Sequence, residues 1–540
     1  MSSPDPMAIP EILACIAKFL TRGQTATCMR VCKAWTPEFE RATWRSVECT
    51  NDPRAALPQP SLELVKRNAH QIRHLVYKVF EDESVPASML RCPHLETVRF
   101  ETYDGDPWDV LAEMIENLPS LYKIVIQDCG ATSTVSKKFL SAITTCPTLV
   151  VLETSGIMIY EETEQYLRAI APRMRRVATQ DDSFLFYQAQ WTDDLLFSEL
   201  RYLDLRAAMC LEGELEWIVR CPNLISLGWE SPDIVMPIKE FCSRVPVACP
   251  NLTCFELLLS ISDGDIALIL NAIPRIEKFT VARSNFGPQS IVALRRHFPT
   301  LKDFNIQYNM SASSKIVQEV LSSCPNLLSL CADEIEYEDL IQQPWICRSL
   351  RLLDVGFRAG EANAHQKEVY RKLAELTELE WLSIGSPDLE IEGGQMDLTL
   401  EAGLDALKTL TKLENFHGKG VLERAVENQG YQTVGWMLEN WPRLKTLEGY
   451  IPEFHPSYDQ IASALEERGI KYVEDNDDEE EEEFDSEYDE YFGEGFDDFD
   501  EFDDYDSDDG YIPGRPYRFD FRVDLGGPDD DDDEDEWTDE

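Results

Sequence analysis

Cysteine and histidine pairs are the side chains of this sequence whose types and spacing could support chemistry. The chain holds 15 cysteines, and the tetrapeptide CPNL occurs three times, starting at Cys221, Cys249 and Cys324. A zinc site needs close ligand pairs that converge on one point. The pairs with suitable spacing are Cys28 with Cys32, Cys249 with Cys254, and His70 with His74. None of them has a second pair at the distance found in zinc fingers, so we expect no metal site.

Disulfide and enzyme chemistry are also disfavoured. The start MSSPDPMAIP lacks a basic region and a cleavage site, and no apolar run approaches the roughly 18 to 20 residues of a membrane span. We therefore expect a cytoplasmic and/or nuclear protein with reduced thiols. The sequence contains no phosphate-binding loop, no G-x-S-x-G and no H-E-x-x-H. A Cys–His nucleophile pair stays open because its partners meet in space, but we expect no enzyme and no cofactor.

The net charge restricts the partners. With 101 acidic and 49 basic residues, the formal charge is −52, which argues against binding nucleic acid or an anionic membrane. Much of this charge lies in residues 474–540, where 35 acidic residues face three arginines. Such dense like charge predicts a disordered tail. Aromatic residues interleave with the acids, so the tail either binds a basic protein, competes for a binding groove, or only solubilises the chain.

A repeat runs through residues 51–473. Segments of the form L-x-x-(L/V/I/F)-x-(L/V/I) recur with spacings of mostly 23 to 29 residues. Their first residues are Ile72, Leu95, Leu121, Leu149, Met174, Leu200, Leu224, Leu252, Ile276, Leu301, Leu327, Leu350, Leu379, Leu413 and Leu444. This regularity predicts about fifteen irregular repeats.

Each repeat combines a helix, a proline and a strand. Segments such as KIVQEVLSSCP have helical apolar spacing, whereas LRYLDLR from Leu200 alternates as a strand does. The proline ends the helix because the residue before it is pushed toward extended geometry. The position before the proline holds Cys, Leu, Ile, Phe or Trp. The CPNL cysteines are therefore predicted to be small buried apolar residues.

This unit resembles the leucine-rich repeat, in particular its cysteine-containing class. The segment ISDGDIALILNAIPRIEKF from Ile261 matches that class, with Asp263 as the expected N-cap of its helix. The resemblance implies an α/β solenoid with a parallel sheet on its concave face and helices on its convex face. At about 4.8 Å between strands, the concave surface would extend on the order of 70 Å, which fits a protein rather than a small ligand.

The concave surface is the expected binding groove. Aliphatic positions of each strand face the core, so the residues at offsets two, four and six from the first residue face the groove. The candidate substrate-binding residues are Arg176, Tyr202, Asp204, Arg206, Glu256, Lys278, Asp303, Asn305, Gln307 and Trp381. For each of them the alternative is a solvated sheet face without a partner.

Residues 1–50 do not fit the repeat and resemble an F-box. They hold an apolar stripe from Ile9 to Leu20, the segment VCKAW from Val31, and the pair Thr43–Trp44. Ile9 and Thr43 replace the leucines usual in that family. The resemblance implies docking on the Skp adaptor of a cullin-RING ubiquitin ligase by a set that includes packing residues: Ile9, Pro10, Ile12, Leu13, Ile16, Leu20, Val31, Cys32, Trp35 and Trp44. The alternative is that the stripe packs on the first repeat and closes the solenoid.

Together, the two resemblances imply the substrate receptor of an SCF-type ubiquitin ligase, whose repeats bind an unknown protein substrate. The alternative function is a leucine-rich-repeat scaffold or chaperone-like protein that binds basic proteins through the acidic tail and has no role in a ligase.

Overall fold

Strand and helix alternate along most of the chain in its computed structural model. The structure describes residues 9–20, 22–50, 62–79, 92–102, 108–116, 118–128, 133–134, 136–155, 157–158, 164–180, 195–205, 211–231, 238–309, 312–358, 365–384, 396–418, 421–451 and 454–473. The predicted acidic tail, residues 474–540, therefore lies outside the described residues, and so does the predicted groove residue Arg206.

The helices are short, as expected for repeats of this length. They are α1 (Pro10–Ala17), α2 (Arg22–Cys28), α3 (Thr36–Arg45), α4 (Leu62–Asn68), α5 (Trp108–Ile115), α6 (Lys137–Thr145), α7 (Glu164–Ile170), α8 (Leu211–Ile218), α9 (Ile238–Ala248), α10 (Asp263–Ala272), α11 (Pro288–Leu294), α12 (Ser314–Ser323), α13 (Tyr337–Leu340), α14 (Gln366–Ala374), α15 (Val421–Gln429), α16 (Tyr431–Asn440) and α17 (Tyr458–Arg468). Short 3-10 helices span Ala69–Gln71, Ala171–Arg173, Arg295–His297 and Leu404–Thr409. Within the described ranges, every helix is too short or too polar to cross a bilayer.

The strands are equally short. They are β1 (Ser46–Thr50), β2 (His74–Val79), β3 (Thr97–Thr102), β4 (Lys123–Asp128), β5 (Ser133–Thr134), β6 (Val151–Ser155), β7 (Ile157–Met158), β8 (Arg176–Gln180), β9 (Tyr202–Leu205), β10 (Ser226–Ser231), β11 (Cys254–Leu259), β12 (Lys278–Val281), β13 (Asp303–Asn305), β14 (Ser329–Glu336), β15 (Leu352–Arg358), β16 (Trp381–Ser383), β17 (Asn415–His417), β18 (Thr446–Glu448) and β19 (Lys471–Val473).

Seventeen of these strands form one parallel sheet in which each strand pairs with that of the next repeat, while β5 and β7 pair separately. Each of the fifteen predicted first residues lies two positions before a strand of this sheet, as Leu252 does before β11 and Leu327 before β14. The predicted leucine-rich-repeat solenoid is therefore confirmed. The sheet also contains β1 and β19, which the repeat pattern does not predict. The chain passes from α3 to β1 without a loop, from Arg45 to Ser46.

The two faces of the sheet differ as the alternation predicts. In β11, Phe255, Leu257 and Leu259 are buried in the core, whereas Cys254 and Glu256 are only half-buried. Successive side chains of a strand point to opposite faces, so the half-buried set lies on the side away from the core. We call this side the open face. It corresponds to the predicted groove.

The CPNL cysteines are buried thiols, as predicted. Cys221, Cys249 and Cys324 are at most 2% exposed. The Cys221 thiol donates to the Trp217 carbonyl, and burial raises the pKa of the Cys249 thiol to about 12. Cys324 follows the last turn of α12 in extended geometry, as expected before a proline. The cysteines therefore fill the core where each helix turns into the next strand.

The expected role of Asp263 is wrong. The N-cap of α10 is Ser262, whose hydroxyl accepts a hydrogen bond from the backbone N–H of Asp265 at 3.2 Å. The Asp263 carboxylate instead accepts from the backbone N–H groups of Gly287 and Ser290, at 3.0 and 2.8 Å, at the start of α11. It caps the helix of the following repeat, because that helix begins with backbone donors that lack partners of their own.

Candidate protein-binding surfaces

The helices α1, α2 and α3 form a small helical unit with its own apolar cluster. Leu13, Ala17 and Phe39 are buried together, and the rings of Trp35 and Phe39 are 5.5 Å apart. The half-buried side chains packed around them are Ile16, Leu20, Cys28, Met29, Trp35 and Ala42. This cluster is separate from the core of the repeats. Among the described residues, the buried part of the α1 stripe therefore packs against α3 and not against the first repeat.

Several large apolar side chains of the helical unit are exposed. Phe19 is 87% exposed, Val31 is 60% exposed and Ile12 is 37% exposed. Pro10 and Cys32 are also exposed. Exposed apolar side chains grouped in one small unit are typical of an interaction site.

The predicted adaptor-binding residues thus divide between surface and interior. Leu13 lies in the interior of the helical unit, and Ile9, Ile16, Leu20 and Trp35 are half-buried. Trp44 packs against the core of the repeats. The most exposed of the apolar residues, Phe19, is not among the predicted set. Helix α1 ends at Ala17, so Phe19 lies in a turn and leaves the stripe that an unbroken helix would continue.

The open face carries most of the predicted groove residues in aligned columns. Arg176 pairs in register with Tyr202, and Lys278 pairs with Asp303. In the next column, Asp204 lies beside Gly228, and a Cβ at Gly228 would come within 2.3 Å of the Asp204 carboxylate. A larger residue at Gly228 would therefore displace the Asp204 side chain of the neighbouring strand.

The remaining groove residues occupy the same face farther along the sheet. Asn305 follows Asp303 by two positions in β13, and Glu256 lies on β11. Gln307 lies beyond the end of β13, where its amide donates to the Asp354 carboxylate at 2.9 Å. The half-buried Trp381 packs against His417 with tilted rings whose centroids are 4.1 Å apart. The structure thus aligns these residues along one surface without gathering them into one pocket.

Ion pairs neutralise the first strands of the open face. The Lys78 ammonium lies 3.0 Å from Glu48 and 3.4 Å from Glu101, which also pairs with Arg99 at 2.6 Å. Glu153 lies between Lys123 and Arg176, at 3.0 and 2.9 Å. Such partly exposed pairs contribute little stability individually. They leave this part of the surface with little excess charge.

The middle strands of the open face are more acidic. Burial raises the pKa of Asp303, although Lys278 and Lys302 beside it act in the opposite direction. Glu230 pairs with Arg283 at 3.5 Å. A charged group that is partly desolvated gains from an opposite charge on a partner. This region can therefore accept a complementary protein surface.

Comparisons with known proteins identify no relative by sequence. No family model matches the chain, and no curated protein matches it. A chain of the TLR13–ssRNA13 complex is 11% identical, with a TM-score of 0.33 and with 79% of this chain and 76% of that chain covered. A chain of the Toll–Spatzle complex from Drosophila is 11% identical, with a TM-score of 0.33 and 73% and 52% covered.

A chain of the complex of Rad7 and Elc1 from yeast is 13% identical, with a TM-score of 0.41 and with 88% of this chain and 98% of that chain covered. At these identities and scores, the three structures do not identify a partner for this chain. The solenoid fold is established by the strand register and the alternating burial described above.

Proposed function

We propose that this protein is the substrate receptor of an SCF-type ubiquitin ligase. The helical unit docks the Skp adaptor, and the open face of the repeats binds the protein to be ubiquitylated. The receptor performs no bond chemistry of its own. It raises the effective concentration of a target lysine near the charged ubiquitin carrier. The resemblance of residues 9–44 to the F-box supports the first half of this proposal, and the protein-sized open face supports the second.

The exposed apolar group of the helical unit carries the proposal. A unit that only closed the solenoid would bury its apolar side chains against the first repeat. The buried part of the α1 stripe instead packs on Phe39 of α3, while Phe19 and Val31 are left exposed. Burying a large apolar side chain is worth about 1.5 to 3 kcal/mol, so leaving two of them in water favours a partner that covers them.

The alternative function, a scaffold that binds basic proteins through its acidic tail, concerns residues 474–540. Those residues lie outside the described part of the chain. The two functions differ in one observable property, because only the receptor needs to retain the Skp adaptor.

Adaptor capture tests the proposal. The intact protein should retain the Skp adaptor on co-purification, and the double change Phe19→Asp, Val31→Asp should reduce capture at least about tenfold, since exposed apolar anchors dominate binding energy. Val292, which is 59% exposed on α11, provides the matched control Val292→Asp. Leu13 is unsuitable for this test because it is buried, so its replacement would also unfold the helical unit.

Two outcomes would contradict the proposal. In the first, the intact protein fails to retain the adaptor under conditions in which a known F-box protein retains it. In the second, the double change leaves capture undiminished while amide exchange shows that α1 to α3 are folded. Either result would leave the scaffold function as the better explanation.

A further inference from the structure

Strands β15 to β18 carry a row of polar side chains on the open face. Asp354 of β15 lies in register with Ser383 of β16. Ser383 lies in register with His417 of β17, which lies in register with Glu448 of β18. Trp381 stands two positions before Ser383 and therefore on the same face of the sheet. We call these five residues the Trp381 cluster.

His417 contributes a buried nitrogen to this cluster. The residue is 9% exposed, and its Nδ1 lies 2.9 Å from the Glu448 carboxylate. A carboxylate accepts hydrogen bonds, so Nδ1 carries the proton and the neutral imidazole presents Nε2 as an acceptor. Within the described part of the chain, no donor reaches Nε2. A buried polar atom without a hydrogen bond is destabilising, so a donor supplied by a partner would be favourable here.

The charges of the cluster select the kind of donor. Asp354 and Glu448 supply two carboxylates, and β16, β17 and β18 contain no lysine or arginine. The Asp354 carboxylate accepts a hydrogen bond from the neutral amide of Gln307 at 2.9 Å. Partly buried carboxylates repel an anion and attract a cation. The cluster therefore favours a cationic side chain over an anionic one.

The open face already contains an arginine in comparable surroundings. Arg176 of β8 lies 2.9 Å from the Glu153 carboxylate on one neighbouring strand. Its guanidinium lies 5.9 Å from the ring centroid of Tyr202 on the other neighbouring strand. This part of the sheet thus combines a carboxylate, an aromatic ring and a guanidinium. The Trp381 cluster has the carboxylate and the ring but no guanidinium among its members.

We propose that the Trp381 cluster binds an arginine side chain of the protein substrate. This inference rests on the proposed receptor function and names a feature of the substrate. A planar guanidinium has five donors and stacks on aromatic rings, so it can donate to Asp354 and to His417 Nε2 while it packs on Trp381. The strands of the two acceptors are about 9.6 Å apart, and the small side chain of Ser383 between them leaves room for the guanidinium.

The Trp381 ring has to move when the arginine enters. In the unbound chain the ring packs against His417, and Nε2 is buried. Side chains at binding surfaces commonly change rotamer on binding. The half-buried ring should therefore turn outward and then cover the guanidinium. Binding should change the tryptophan fluorescence, and Trp381→Leu should remove this change and weaken binding.

Selection from a random peptide display library on the full chain tests the site. The acidic residues of 474–540 also attract cationic peptides. The selection is therefore made at about 0.5 M salt, which screens exposed charges more than about 4 Å apart. The selected peptides should share an arginine at one position. Citrulline at that position keeps the planar shape without the charge and should weaken binding at least about tenfold, whereas lysine should weaken it by a smaller factor.

Asp354→Asn tests the contribution of this chain. The change should weaken binding of a selected peptide at least about tenfold. It should leave the fold intact, because the asparagine oxygen can still accept from Gln307. The matched control is Glu48→Gln, which changes the charge by the same amount at the third position of β1, as Asp354 is the third residue of β15. The control should leave binding within about twofold.

Four results would overturn the proposal in whole or in part. A selection that yields no shared arginine would overturn the site. Equal losses in Asp354→Asn and Glu48→Gln would show a general charge effect and would also overturn it. Undiminished binding of the citrulline peptide would overturn the assignment to a cation, and undiminished binding of the lysine peptide would overturn the assignment to a guanidinium.

Adaptor capture by the same variants separates this inference from the proposed function. Asp354→Asn should capture the Skp adaptor as the unmodified protein does, so the expected result is loss of peptide binding with capture retained. Selection of arginine peptides by a protein that never captures the adaptor would contradict the receptor function and leave the arginine site standing. Capture of the adaptor without any preference for arginine would have the opposite meaning.

Discussion

Phe39 and Leu330 are both fully buried, but Phe39 is covered by a short segment of the chain and Leu330 by many successive repeats. Phe39 lies in a cluster of three buried residues that the helical unit supplies by itself. Leu330 lies in a column between Phe304 and Leu353 of the neighbouring strands, within a core that continues from repeat to repeat. Each repeat packs its core residues against those of its neighbours. The helical unit packs its buried residues only against one another and leaves other apolar side chains exposed. These exposed apolar side chains, in the region with the smaller core, are the basis of the proposed docking site.

Replacing Phe39 should break the helical unit alone. Phe39→Ala removes the largest of the three fully buried side chains of a small cluster, at a cost of about 3 to 5 kcal/mol. A unit this small has little stability to lose, so α1 to α3 should unfold locally. Amide exchange should lose its protection there while the denaturation midpoint of the repeats stays unchanged. Val31→Ala is the control on the surface of the same unit, and a lowered midpoint for the repeats would show that the two regions are not independent.

Replacing Leu330 should destabilise the repeats and leave the helical unit unchanged. Leu330→Ala should cost about 3 kcal/mol through the cavity it leaves, and in a repeat array the loss passes to neighbouring repeats. Amide exchange should increase in β13 to β15 but not in α1 to α3. Leu352→Ala, at a half-buried position on the adjacent strand, should cost less than about 1 kcal/mol. Equal costs for the two leucines would contradict the assignment of the faces.

Asp263 tests the contacts that join one repeat to the next. Asp263→Ala leaves backbone donors of α11 without a partner and should cost about 2 kcal/mol. Burial tends to raise the pKa of Asp263, but hydrogen bonds from Ser290, Gln289 and Gly287 outweigh it and lower the pKa. Asp459→Ala, at an exposed position in the first turn of α17, is the control.

The lowered pKa of Asp263 also sets a pH dependence. A depressed pKa gives stability that is present above the unfolded value of about 3.9 and is lost as the pH falls through the lower folded value. The difference in unfolding free energy between the unmodified protein and Asp263→Ala should therefore be constant near neutral pH and shrink below about pH 4. A difference that is independent of pH down to the acid limit would rule out the carboxylate as the cause.

The smallest effect is expected at the CPNL cysteines. Cys324→Ala should lower the unfolding free energy by only about 1 kcal/mol, because it leaves a small cavity in the core of the repeats. The protein should release no zinc when unfolded, as measured with a chromogenic chelator. A stoichiometric release of metal would contradict the apolar role of this cysteine.

Much of the solenoid could be predicted because its core residues recur along the sequence. The leucines that start each repeat enter the core, so their spacing specifies where every repeat strand begins. Strand β1 could not be found in this way, since SVECT has one core aliphatic residue, Val47, and depends on β2 for pairing. The sequence indicates that Asp263 is a capping residue but not which helix it caps, because its partners are 24 to 27 residues away.

The candidate surfaces were less predictable than the fold. The exposure of Phe19 depends on where α1 ends. No proline or glycine marks that end at Ala17, so the sequence does not predict it. Burial of Leu13 depends on Phe39, which the F-box pattern does not include.

Helix α3 ends at Arg45 and β1 begins at Ser46, so the helical unit is joined directly to the first strand of the sheet. The distance from the helical unit to any later strand is therefore set by the number of strands between them. Sheet order places β8 five strands from β1, so about 24 Å of sheet separates the end attached to the helical unit from β8 in the open face. Inserting one repeat between them would add about 4.8 Å and a twist of about 20 to 25°. If the proposed receptor function holds, the number of repeats sets the distance between the helical unit and a protein bound on the open face, and thereby which lysine of that protein comes within reach of the ubiquitin carrier.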